Sequence, residues 1–96
     1  MNEDYYIISF DIIDATYNTL KTKGWFTHWE DKDKNCIVFN WDEALKFTKL
    51  NLAIEQFNLY YYKINECLKK ENLIIKNIKV LSVADKPIFK EVYSWN

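Results

Sequence analysis

The amino-acid sequence predicts one small α+β domain over residues 1–96, in the order strand, helix, strand, strand, long helix, strand, with a short C-terminal helical segment. Three observations predict it. Tyr5 to Ile13 is an almost unbroken run of aromatic and β-branched residues; two further aromatic runs flank a charged turn; and apolar residues recur every three or four positions from Phe47 to Leu68.

Tyr5 to Ile13 has the composition of a central strand covered on both faces. Asp14 can then cap a short helix whose buried edge is Tyr17 and Leu20, and Gly24, the only glycine, stands where a helix ends. The stretches Trp25 to Glu30 and Cys36 to Trp41, separated by the charged run Asp31 to Asn35, predict a β-hairpin with Trp25, Thr27 and Trp29 on one face.

Asn40 and Glu43 have the spacing of a capping box, so a long helix is expected from Asp42 to Lys70. Phe47, Leu50, Ile54, Phe57, Tyr61, Ile64 and Leu68 would form its buried stripe. Unbroken, it would extend about 43 Å, against about 20 to 27 Å for strands of ordinary length. Such an excess needs a partner or a kink. Leu73 to Val83 predicts the last strand, and Asp85 as cap with Pro87 in the first turn predicts a terminal helical segment over Ile88 to Tyr93. The resulting β-α-β-β-α-β order is that of a ferredoxin-like antiparallel sheet with helices on one face.

Composition narrows the function classes. The chain is 49% apolar and 18% aromatic, too hydrophobic for a disordered protein. All 13 basic side chains are lysine, and the missing guanidinium fork disfavours nucleic-acid recognition. Cys36 and Cys67 have neither zinc nor disulfide-scaffold spacing, and are expected as reduced thiols. The acidic start and the absence of a long apolar run predict a cytoplasmic protein without a membrane span.

The segment YYIISFDI before a short helix, and the tail IKVLSVADKPIFKEVY, resemble the small ferredoxin-like ribonuclease group that includes VapD and GhoS, and the CRISPR adaptation subunit of the same fold. The resemblance implies a metal-dependent endoribonuclease in which Asp11, paired across a dimer axis, holds Mg²⁺ on a scissile phosphate. Exposure at a strand end and a helix cap account for Asp11 and Asp14 without a metal. His28, the sole histidine, has no nucleophile at a recognisable spacing.

With no catalytic set in view, the sequence reads better as a protein-binding module, an inhibitor or adaptor without cofactor that is expected to form a homodimer. Trp25, Trp29, Trp41, Tyr60 and Tyr62 are the candidate binding residues, since Trp and Tyr are the enriched anchors of interfaces and Tyr60 to Tyr62 cannot all face one core. Size and a Lys, Asn and Ile content typical of AT-rich genomes fit a phage or mobile-element anti-defence protein, of the anti-CRISPR kind.

Overall fold

The computed structural model describes residues 4–30, 35–84 and 88–95, with the side chains of Trp29, Glu30 and Asn35 outside the description. These residues form a five-stranded antiparallel sheet and one α-helix. The strands are β1 (Tyr5–Asp14), β2 (Thr19–Glu30), β3 (Asn35–Val38), β4 (Leu73–Val83) and β5 (Phe89–Ser94), and α1 (Leu50–Lys69) joins β3 to β4. The spatial order is β3-β2-β1-β4-β5. The ferredoxin-like β-α-β-β-α-β expectation is therefore wrong: only one of the expected helices exists, and both flanking helical segments are replaced by sheet.

The first expected helix is a turn followed by strand. Asp14 does cap, but it closes a hairpin: its Oδ1 accepts from the amides of Thr16 at 2.9 Å and Tyr17 at 3.1 Å. Asn18 then takes a left-handed conformation, φ 53°, and its amide donates to the Asp14 carbonyl at 2.7 Å. Asparagine tolerates that region better than most residues, and it reverses the chain where a helix would have gone on. Gly24 ends no helix. It lies inside β2, opposite Phe10, where a Cβ would stand 2.7 Å from Phe10 Cε1 and 3.2 Å from Ile12 Cδ1. The residue is glycine because a ring needs the space, and its φ is not positive.

The long helix also begins later than the capping spacing suggests. Asn40 Nδ2 does donate to Glu43 Oε2, at 3.4 Å, yet only a single 3-10 turn forms, Trp41–Glu43. The chain then runs extended through Phe47, which exchanges two backbone hydrogen bonds with Tyr6, at 2.8 and 2.9 Å. Phe47 is buried and stacks on Phe26, with centroids 6.3 Å apart. A tertiary bridge and a ring stack thus outweigh local helix preference over 44–49. At 20 residues α1 is about 30 Å long, while the 11 residues of β4 reach about 36 Å. The expected excess of helix over sheet does not exist.

The C-terminal segment is strand β5, paired with β4 from Val83↔Phe89 to Lys79↔Ser94. Asp85 and Pro87, the expected cap and first turn, lie outside the described residues, as does most of the charged turn of the β2–β3 hairpin. The expected pairing of the hairpin's two stretches forms, with Trp25↔Val38 and Phe26↔Ile37 in register, but its second strand stops at Val38 instead of running to Trp41, which falls in the 3-10 turn.

The main core lies between the sheet and α1. Ile8, Phe10 and Ile12 of β1 meet Phe26 of β2, Ile75, Ile78 and Val80 of β4, and Ala53, Phe57, Ile64 and Leu68 of α1. Phe57 is its hub, edge-on to Phe26 at 5.4 Å and tilted against Trp95 at 4.9 Å. The expected stripe on α1 holds in outline, with Ala53 buried and Tyr61 left at the margin. No helix among the described residues is long and apolar enough to cross a membrane.

Candidate functional site

The sheet face turned away from α1 carries, among the described residues, only the Trp41–Glu43 turn. Strand alternation assigns its side chains. Ile7, Ser9 and Asp11 of β1 share it with Lys23 and Trp25 of β2, with Lys79, Leu81 and Val83 of β4, and with Phe89 and Glu91 of β5. One end is apolar and the other charged.

At the apolar end a second, smaller cluster forms around Ile7, Ala44 and Val83, with Tyr5, Trp25, Trp41 and Leu81 packed against it. The chain between β3 and α1 makes this possible. Leading out of β3, it lays Trp41 and Ala44 on this face, donates from the Leu45 amide to the Phe26 carbonyl at 2.9 Å, then delivers Phe47 to the opposite face. It fills the gap where β2 leaves β1, since the β1–β2 ladder begins only at Ser9↔Trp25.

Trp41 meets Phe89 edge to face, 5.3 Å between centroids, so an aromatic wall spans from the turn to the edge strand. Beside it lies a cavity of about 320 Å³ lined by Lys23, Trp25, Trp41, Leu81 and Phe89. The Trp25 indole N–H is buried without a hydrogen-bond partner among the described residues. Such an orphaned donor costs free energy until an acceptor reaches it, about 1–3 kcal/mol for a group of this kind.

The charged end is already satisfied internally. Asp11 lies between two lysines in register, Lys23 on β2 and Lys76 on β4, and its Oδ2 accepts from Asn77 Nδ2 at 2.8 Å. Glu91 is paired with Lys79 at 3.2 Å. Among the described residues no group of three or more His, Cys, Asp or Glu side chains is placed to hold a metal ion.

The candidate binding residues separate into two groups. Trp25 and Trp41 come together on the open face. Trp29 lies on β2, but its side chain is outside the described residues. Tyr60 and Tyr62 belong to the other layer: Tyr60 is half-buried 6.1 Å from Phe26 with the Lys63 ammonium over its ring, and Tyr62, 71% exposed, points outward from α1. His28 is exposed at a groove beside Phe47 and Leu52. Phe89, Leu81 and Lys23 are the residues that sequence reasoning missed. The sequence pattern puts Phe89 in a terminal helix and Lys23 at a helix end, and only their strand register brings them beside the tryptophans.

The two thiols differ in exposure, Cys67 being half-buried. Cys36 is wholly buried, and burial, with the neighbouring Cys67 adding to it, pushes its pKa up to about 12, which leaves it neutral and a poor nucleophile.

No protein-family model matches the chain, and comparison with curated proteins and with solved structures returns no significant match.

Proposed function

We propose that this chain is a small protein-binding module, acting as an inhibitor or adaptor, that docks its partner on the open face of the sheet. The observation that carries this reading is the cradle of Trp25, Trp41 and Phe89 beside Leu81 on a face that carries no α-helix among the described residues. Rigid aromatic rings on a strand framework give a large contact area at little entropic cost, which is why such residues dominate interface energetics. A site built on strands also holds its geometry better than one on loops. The Lys, Asn and Ile content typical of AT-rich genomes suits an anti-defence protein of a phage or mobile element, and a homodimer is the form in which a second copy covers the same face.

The reading is tested by affinity capture from lysate of the source cells with the wild-type chain and with Trp41→Ala and Phe89→Ala variants. A partner retained by the wild type and lost by both variants supports it; a partner held equally by all three removes the cradle from the interface. Light scattering in the micromolar range decides between self-association and a different partner. Cleavage of labelled RNA in Mg²⁺, abolished by Asp11→Ala, would replace the binding reading with nuclease chemistry.

A further inference from the structure

Resting on the protein-binding reading, we infer that the cradle receives an acidic peptide segment of the partner: an apolar side chain, aromatic or branched, with a carboxylate on the same or an adjacent residue. The argument is one of complementarity. Every polar side-chain atom that lines the cavity is a donor, because lysine and the indole of tryptophan donate hydrogen bonds and accept none. Trp25, one of the lining residues, has its Nε1 buried without a hydrogen-bond partner among the described residues. Lys23, exposed at the rim, has no ion pair among the described residues, although Asp11 faces it across the β1–β2 ladder; Asp11 accepts from Asn77, and Glu91 pairs with Lys79. Asp42 and Glu43 follow Trp41 in sequence but do not line the cavity.

An occupant must therefore bring acceptors on an apolar body. A basic segment would set a cation against Lys23, a cost with no compensating contact. At about 320 Å³ the cavity lies at the small end of the roughly 300–1,000 Å³ typical of ligand pockets, and an anchor side chain of a peptide suits it better than a nucleotide or a large cofactor. The open walls let the rest of the segment continue across the sheet, with Lys23 placed to meet its acidic residue.

The experiment is a selection of phage-displayed random dodecapeptides on the immobilised full-length chain, in parallel with Trp41→Ala and Lys23→Glu. Wild type is expected to enrich Phe, Trp, Leu or Ile beside Asp or Glu. Trp41→Ala loses the enrichment. Lys23→Glu, at an exposed position opposite Asp11 and used once circular dichroism shows it folded, exchanges the acidic position for Lys, and a synthesised winning peptide binds it about threefold to tenfold more weakly. Apolar peptides enriched without an acidic residue, or peptides unaffected by Lys23→Glu, overturn this inference and leave the protein-binding reading standing. No enrichment on the wild type over Trp41→Ala overturns both.

Discussion

The Phe10 ring occupies the space that any side chain at Gly24 would need, with Cε1 2.7 Å from where a Cβ would lie. Phe10 is wholly buried and 6.2 Å from Phe57, so it cannot swing aside without disturbing the core. Gly24→Ala is therefore expected to destabilise the chain by about 1–3 kcal/mol, the usual range for overpacking. Urea denaturation should show a lower midpoint at unchanged slope. Pairing it with Phe10→Leu should recover part of the loss, because the two changes share one contact.

The β1–β2 turn depends on one carboxylate and one left-handed residue. Asp14→Ala removes the acceptor for the Thr16 and Tyr17 amides and should cost about 1 kcal/mol, as the loss of a helix N-cap does. At Asn18, φ 53°, glycine should be neutral or slightly stabilising and valine clearly destabilising. Equal thermal midpoints for the glycine and valine variants would contradict this account of the turn.

Trp95 fastens the C-terminal strand to the helix. Its Nε1 donates to Asn58 Oδ1 at 2.8 Å, its ring packs on Phe57, and its amide donates to the Ile78 carbonyl at 3.0 Å. Asn58→Ala should cost about 1 kcal/mol. Trp95→Ala should cost more and act locally, speeding amide exchange in β5 while β1 stays protected. Uniform acceleration across the sheet would show instead that β5 belongs to the global folding unit.

Cys36 yields a pH prediction with a definite sign. Its pKa is raised from 9.0 to about 12 by burial, so between those values the folded chain keeps a proton that the unfolded chain releases. Stability from this group is whole below about pH 9 and declines as pH rises toward 12. The stability difference between wild type and Cys36→Ala should therefore shrink from pH 8 to pH 11. At pH 8 iodoacetamide should label Cys67 first, and Cys36 only on unfolding; rapid labelling of Cys36 in the folded chain would contradict its burial.

Strand β1, the β2–β3 hairpin, the stripe on α1 and strand β4 were legible in the sequence, because each is a long run of one periodicity. What misled was punctuation. Asp14 and Gly24 look like a helix cap and a helix end, yet they serve a turn and a ring contact. Asn40 and Glu43 do make their side-chain contact, but a bridge between residues distant in sequence, Tyr6 and Phe47, halts the helix that should follow. The cradle was half visible: Trp25 and Trp41 stood out as surplus rings, while Phe89 and Lys23 reached them only through sheet register. Tyr60 and Tyr62 drew attention for the same composition and sit on the other side of the molecule.

The position of β1 matters for synthesis as well as for the finished fold. It precedes the other four strands in the chain and lies in the middle, between β2 and β4, so on the ribosome it can zip with β2 early but keeps one bare edge until residues 73–83 emerge. During that interval a greasy, hydrogen-bond-hungry rim is open to any passing strand, which makes slow translation of α1 the moment at which this chain is most exposed to aggregation.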